Sequence, residues 1–319
     1  MDEFILSTDR VQTIYLNRMY YIPKHILLIS NNKVQLYNII TNIKQNSTIM
    51  SGAFSIIIVY GFLDNLIVMK VMSGDNKKIQ NELEFYNIIK TKKNYDKHIC
   101  KFYGSVQENY KGINYNYLFL EKLETDLYDY LYIHNCKLVS FEFCKEMLIN
   151  ICKNLIFIHE SGFVYNDLKL ENIMVDSKGN IKLIDFNCVS CSNLKWIGSG
   201  TLEYMSPETI TNIKNNNDNL IIDKKSDSWS FGLIIYELFT KKQSPFYSKN
   251  KTNIIKKVLK NKYNDGVKAE ELFKTNNLTY SKIHRLDENI ATIFSSCLKT
   301  NYQHRPSLQE ILYDLYKLK

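Results

Sequence analysis

Residues 165–175 read Tyr165-Asn166-Asp167-Leu168-Lys169-Leu170-Glu171-Asn172-Ile173-Met174-Val175. Three chemically useful side chains stand there in an apolar frame. Asp167 can accept a proton, Lys169 can neutralise developing negative charge, and Asn172 can hold a divalent cation through its amide oxygen. Leu168, Ile173, Met174 and Val175 would seat the segment in a core, and polar groups carried inward need partners or a task. Alone, the stretch also reads as a polar turn between an apolar helix and a strand. The rest of the chain decides between the two, by supplying or withholding the parts such a segment would work with.

The chain of 319 residues is long enough for one large domain or two lobes, and 45% hydrophobic against 23% charged residues suits a globular protein with a real core. Runs such as Asn215-Asn216-Asn217 and Lys256-Lys257 suggest AT-rich coding. The net charge of +8 would suit nucleic acid or an anionic surface. No run gathers that charge with aromatic platforms, so the expectation is lysines spread over the surface and no specific nucleic-acid partner. The cysteines are Cys100, Cys136, Cys144, Cys152, Cys188, Cys191 and Cys297, an odd number lying mostly in apolar patterns. That argues for reduced thiols and a cytoplasmic setting. Cys188-Val189-Ser190-Cys191 is a lone C-x-x-C, whereas a structural zinc site would want a second pair. Met1-Asp2-Glu3-Phe4 lacks the basic start of a signal peptide, and no apolar run approaches the ~18 residues of a membrane span.

The pattern changes along the chain. Residues 26–30 and 33–40 are β-prone around Asn31-Asn32, a plausible hairpin turn. Residues 55–60 and 66–72 are strands rich in β-branched side chains, and 102–107 and 115–120 are strand-like. Residues 77–90 carry Ile79, Leu83, Phe85 or Tyr86, and Ile89 at helical spacing. Beyond about residue 124 helices dominate, over 141–161 with Gly162 as a stop, 224–240, 287–298 and 307–318, with a polar loop expected at 211–219.

Residues 165–172 resemble the catalytic loop of protein kinases, H-R-D-L-x-x-x-x-N, with Tyr165 in place of His and Asn166 in place of Arg. Other motifs of that family follow in order. Ile49-Met50-Ser51-Gly52-Ala53-Phe54-Ser55-Ile56-Ile57 resembles the phosphate loop with its central glycine alone kept. Ile67-Val68-Met69-Lys70 resembles V-A-I-K, and Glu82 is the chosen helix partner of Lys70, with Glu84 the alternative. Leu118-Phe119-Leu120-Glu121-Lys122-Leu123 resembles the fifth strand and hinge, with Leu120 as gatekeeper. Ile184-Asp185-Phe186-Asn187 resembles D-F-G with Asn for Gly, an exchange Asn suits because it tolerates left-handed backbone angles. Residues 200–208 resemble G-T-x-x-Y-M-A-P-E, Asp227 to Gly232 resemble D-V-W-S-F-G, and His304-Arg305-Pro306 lies farther on.

The resemblance covers residue 43 to the end. It implies an α+β, bilobal protein-kinase fold: an N-terminal extension with a hairpin over 1–42, a small antiparallel β lobe with one helix over 43–123, and a mainly helical lobe over 124–319. It implies a divergent serine/threonine-class enzyme that uses ATP with Mg²⁺ or Mn²⁺ and acts on Ser or Thr of protein substrates; the coding bias suggests a virus or protist with an AT-rich genome, and the cysteines the cytoplasm, that of the host if viral. Asp167, Lys169 and Asn172 would be catalytic, and Asn172 and Asp185 would hold the metal. Ile49, Gly52, Phe54, Ile57, Val68, Lys70, Glu82, Glu121, Leu123, Asp126 and Met174 would surround ATP, Asp126 reaching the ribose. Thr201 would shape the substrate platform, while Glu208 with Arg305, and Asp227 under the loop, would be structural. Asn166 would free activity from phosphorylation at hydroxyls such as Ser190, Ser192 and Ser199. The competing readings are a catalytically dead pseudokinase and a kinase with a small-molecule acceptor.

Overall fold

Alternating β-branched and aromatic residues build the first third of the chain as strands, because such residues suit a pleated, half-buried surface. In chain order these are β1 (Glu3–Leu6), β2 (Arg10–Tyr15), β3 (Arg18–Pro23), β4 (His25–Ser30), β5 (Lys33–Ile39), β6 (Met50–Gly52), β7 (Ser55–Phe62) and β8 (Asn65–Ser73). Helix α1 (Lys77–Ile89) follows, then β9 (Phe102–Tyr110) and β10 (Ile113–Glu121). The structure, a computed structural model, describes residues 3–15, 18–30, 33–39, 50–52, 55–62, 65–74, 77–133, 140–191, 200–215, 222–260 and 286–318. The chain divides into two compact units, one of Met1–Asp96 and Cys100–Leu123, the other of Lys97–Ile99 and Glu124–Lys319.

In the first unit an antiparallel sheet runs in the order β1-β4-β5-β7-β8-β10-β9, with β6 paired to β7 and β2 paired separately to β3. Pairing sets Ile58 opposite Met69 and Tyr60 opposite Ile67, with Tyr117 opposite Val71 on the next strand. The period of two places these on one face. That face forms a buried cluster with Ile56, Tyr115 and Phe119, and the N-terminal strands contribute Phe4, Ile22, Ile26 and Leu28 to it. Lys70, opposite Ile57 and Leu118, alternates to the other face. The N-terminal strands therefore cover the face away from Lys70.

Three contacts fix this cover. The Phe4 ring stacks on Phe119 at 3.9 Å between centroids. It fits because residue 104 is glycine, where a Cβ would come within 3.3 Å of the ring. Arg10 donates through one nitrogen to both oxygens of Glu108 at 2.9 and 3.0 Å, and Tyr117 donates to the same carboxylate at 2.7 Å. The Tyr60 hydroxyl donates to the Pro23 carbonyl.

The second unit comprises β11 (Thr125–Asp126), α2 (Leu127–Tyr132), α3 (Phe141–Glu160), β12 (Ile173–Val175), β13 (Ile181–Leu183), α4 (Pro207–Lys214), α5 (Lys225–Thr240), α6 (Lys251–Leu259), α7 (Leu286–Cys297) and α8 (Leu308–Lys317). Strands β11, β12 and β13 form a small sheet. Ser140 caps α3, and Ser307 with Glu310 forms a reciprocal capping box on α8. Helix α5 is buried from Ser226 to Thr240 and is the axis of the unit. Its Gly232 lets α7 approach, since a Cβ there would lie 2.7 Å from the Cys297 Cβ. Trp229 of the same helix stacks on Phe246 at 5.6 Å and lies under the Arg305 guanidinium at 5.2 Å.

The architecture is the α+β arrangement expected, a β-rich part with one helix followed by a helical part. Strands β1 to β3 were not anticipated, nor were the short helices α2, α4 and α6. Residues 211–214, read as loop, complete α4, which starts on Pro207 at its first turn. Asn31, Asn32, Ile49, Phe54, Cys136, Ser192, Ser199 and residues 216–219 lie outside the described residues.

Phe4→Ala should lower the unfolding free energy by ~3 kcal/mol in urea titration, the cost of emptying a packed aromatic site. A value below ~0.5 kcal/mol would show that the N-terminal strands do not stabilise the sheet. A second expectation concerns Glu237, a buried residue of α5. It accepts from the Tyr204 hydroxyl at 2.8 and 2.9 Å and from the Ser244 N–H at 3.0 Å. Burial outweighs those bonds and pushes its carboxyl up to about 8. The folded state then binds the proton more tightly than the unfolded one, so stability falls as pH rises from 4.5 through about 8. Urea titrations at pH 5 and pH 8 should show a smaller loss for Glu237→Gln than for the unsubstituted chain, by at most ~5 kcal/mol. Equal losses would contradict the burial argument.

Candidate active site

Two groups of side chains, one in each unit, gather the residues singled out in the sequence. In the first unit, Lys70 in β8 donates its ammonium to both oxygens of Glu82 in α1, at 2.8 and 2.7 Å. The two side chains are only 7% and 1% exposed. Leaving one of two such charges unpaired costs about 3–5 kcal/mol, so each holds the other in place. Glu84, the alternative, is exposed. Ile57 and Val68 are partly buried on β7 and β8, and Leu120 is buried at the end of β10. The Glu121 carbonyl receives a long contact from the Cys100 thiol at 3.7 Å, and the Leu123 carbonyl accepts from the Lys122 ammonium. Gly52 stands opposite Ser55 in the β6–β7 pairing.

The loop at 165–172 in the second unit is held from beneath by Asp227, in the first turn of α5. One Asp227 oxygen accepts the Tyr165 N–H at 2.8 Å and is 2.7 Å from His159 Nε2, and the other accepts the Asn166 N–H at 2.8 Å. Asn166 has φ +67°, a left-handed angle that asparagine tolerates. The turn brings the Asp167 carboxylate to Thr201, whose N–H and hydroxyl donate to Oδ1 at 2.9 and 2.8 Å. Asn172 donates its Nδ2 to Asp167 Oδ2 at 2.9 Å and to the Asp167 carbonyl at 2.8 Å. Lys169 donates to the Thr201 hydroxyl at 2.9 Å and lies 3.5 Å from Asp167 Oδ2. Burial works against the Lys169 charge, but Asp167, Glu171 and Asp185 outweigh it and hold the ammonium above its ordinary value. Lys169 is therefore a permanent cation beside a carboxylate that is bonded to Thr201.

Asp185 follows β13, placed by the bond from the Ile184 N–H to the Asn172 carbonyl at 3.1 Å. The Tyr165 hydroxyl donates to the Ile184 carbonyl, and its ring meets Phe186 edge-on at 5.6 Å. Tyr165 thus packs against the phenyl ring. The left-handed residue of this segment is Asp185, at φ +59°. Asn187 is not among the positive-φ residues, so its tolerance of such angles is not what admits it. Its side chain instead donates to Asp185 Oδ1 at 2.6 Å. Nothing in the sequence marked this contact except the departure from glycine.

Other residues take the following places. Met174 lies in β12. Asp126, expected near a ribose, accepts the Asp129 N–H at 2.8 Å and caps α2, and burial raises its carboxyl above the usual range. Glu208 receives two Arg305 nitrogens at 2.7 and 2.6 Å, and Arg305 also donates to the carbonyls of Lys299 and Lys225. Ser190, named in the sequence as one of the hydroxyls open to phosphorylation, is buried and accepts from Asn166 at 2.9 Å. The described cysteines form no disulfides, and burial pushes Cys144 and Cys297 up to about 12, which makes them unreactive.

Among the described residues no three His, Cys, Asp or Glu gather as a metal cage. Asn172 and Asp185 nevertheless suit a hard divalent cation that takes its remaining ligands from phosphate and water. Asn172 spends its NH₂ on Asp167, which leaves its amide oxygen as the acceptor end. No described helix is long and apolar enough to cross a membrane.

The chain is similar in sequence to known protein kinases. A Protein kinase C-like protein of Hypocrea jecorina is 35% identical over 119 residues, 34% of this chain and 9% of that protein. A probable cAMP-dependent protein kinase catalytic subunit of Encephalitozoon cuniculi is 36% identical over 132 residues, 41% of this chain and 38% of the relative. The probable cell cycle serine/threonine-protein kinase CDC5 homolog of the same organism is 27% identical over 249 residues, 77% of this chain and 47% of its own length. The chain thus spans less than half the length of these relatives. The model of the protein kinase domain matches residues 45–316, and the chain belongs to the protein kinase domain family.

Proposed function

We propose that the chain transfers the γ-phosphoryl group of ATP to Ser or Thr hydroxyls of protein substrates. The observation that carries this reading is the arrangement around Asp167: one carboxylate oxygen on Thr201, the other on Asn172, and the Lys169 ammonium within 3.5 Å. Asp167 orients the acceptor hydroxyl and takes its proton. Lys169 offsets negative charge that grows on the transferring group. A carboxylate fixed before substrate arrives need not reorganise during the reaction, and positioning with electrostatics does most of the work in such transfers.

Lys70, kept straight by Glu82, is suited to phosphate oxygens. Asn172 and Asp185 would hold Mg²⁺, which when bound neutralises phosphate charge. Lys at position 169 is the feature that resembles the serine/threonine class. Ile57, Val68, Leu123 and Met174, with Ile49, Gly52 and Phe54, would form the nucleotide's surroundings. A location in the cytoplasm agrees with the free thiols.

The competing reading is a binding module without catalysis, motivated by the reduced Gly-rich loop and by Asn166 and Asn187. Intact Lys70, Asp167, Asn172 and Asp185 favour the enzyme. With radiolabelled ATP and a generic basic protein substrate, Asp167→Ala and Lys70→Met should each lose at least ~10²-fold in incorporation. Undiminished incorporation by the purified double variant would overturn the assignment. Phosphatase treatment of the purified chain should leave activity unchanged, because Asn166 offers no cation for a phosphorylated residue to pair with; loss of activity would contradict this.

A further inference from the structure

The two departures from the family pattern, Asn166 and Asn187, act on one stretch of chain. Asn187 Nδ2 donates to Asp185 Oδ1 at 2.6 Å. The Cys188 thiol lies 2.8 Å from Asn187 Oδ1 and donates to it. From the other side, Asn166 Nδ2 reaches the Cys188 carbonyl at 3.0 Å, the Ser190 hydroxyl at 2.9 Å and the Val164 carbonyl at 3.2 Å. Backbone bonds run in both directions between Val164 and Ser190, at 2.8 and 3.0 Å. Asn166 is itself tied through its N–H to Asp227 in α5. A continuous series of hydrogen bonds therefore runs from the buried α5 carboxylate to the Asp185 carboxylate.

We propose that Asn166 and Asn187 form a neutral amide clamp that holds residues 185–190 in the metal-ligating arrangement without phosphorylation. This rests on the reading of Asp185 as a metal ligand. Both asparagines are positioning residues. Glycine at 187 would supply no side-chain donor to the Asp185 carboxylate and would give the segment more backbone freedom to lose. Arginine at 166 would bring a charge that needs an anion. The asparagine amide needs only a carbonyl and a hydroxyl, and it finds both in the segment itself. The clamp also explains why Ser190 is buried rather than offered to a modifying enzyme. The bond to Asp185 Oδ1 fixes the plane of the carboxylate before a cation arrives, which lowers the ordering cost of binding one.

The test uses hydrogen exchange of the full chain without nucleotide, comparing it with Asn187→Ala and with Asn166→Gly, the latter keeping the left-handed backbone accessible. Loss of the side-chain hydrogen bonds of either asparagine should speed exchange of amides 186–190 by at least about three- to tenfold. Protection in α3 and α5 should stay at the level of the unsubstituted chain, which separates loss of the clamp from loss of the fold. In parallel, the Mg²⁺ concentration that half-saturates binding of a fluorescent, non-hydrolysable ATP analogue should rise about threefold or more in Asn187→Ala. Unchanged exchange at 186–190 in either variant, or an unchanged Mg²⁺ requirement in Asn187→Ala, would overturn the proposal. The expected exchange pattern in a chain that binds no nucleotide would support the clamp and overturn the functional reading instead.

Discussion

The Asp227 carboxylate is fully buried in the first turn of α5 and accepts the backbone N–H groups of Tyr165 and Asn166 while it meets the ring of His159. Burying a carboxylate costs several kcal/mol unless hydrogen bonds replace its water, and here they do. Two of these bonds run to backbone N–H groups, so they fix the path of the loop itself. That path sets Asp167 beside Thr201 and Asn172, and it sends the Asn166 amide toward Cys188 and Ser190. Position of the central carboxylate and order of the following segment both depend on one residue in the most buried helix of the unit.

Charge in this protein is used locally. The net charge is +8, whereas two ionic contacts among the described residues are shielded on at least one side. Lys70 with Glu82 and Arg305 with Glu208 each place a cation on both oxygens of a carboxylate. Such pairs are retained for geometry more than for stability, since burying two charges roughly cancels their attraction. The apolar contribution comes from elsewhere: the N-terminal strands over the sheet face away from Lys70, and α5 against α7 at Gly232.

The long elements were legible because their pattern repeats. Helices α1, α3, α5, α7 and α8 begin and end within about one or two residues of the positions read from apolar spacing. Strand β1 was not legible because it is short and defined by distant partners: Phe4 acquires a role only beside Phe119 and Gly104. At the site, residue types at family spacing pointed to Lys70 with Glu82 and to Asp167 with Thr201, and the structure brings these pairs together. Asp126 was read for a ligand, and in the structure its carboxylate caps α2 by accepting the Asp129 N–H. Asn187 was read for its backbone when its side chain makes the contact. A substitution seen in sequence shows what is lost from a pattern, whereas the bond gained depends on what folds against it.

The central claim is phosphoryl transfer to aliphatic hydroxyls by a Mg²⁺-dependent site. Phosphoamino-acid analysis of a basic protein labelled from [γ-³²P]ATP tests it most directly, run with Mg²⁺ and again with Asp185→Ala. The account predicts label on serine or threonine that requires Mg²⁺ and disappears in the variant. Label on tyrosine, label that survives in Asp185→Ala, or no label from the unsubstituted chain would contradict it.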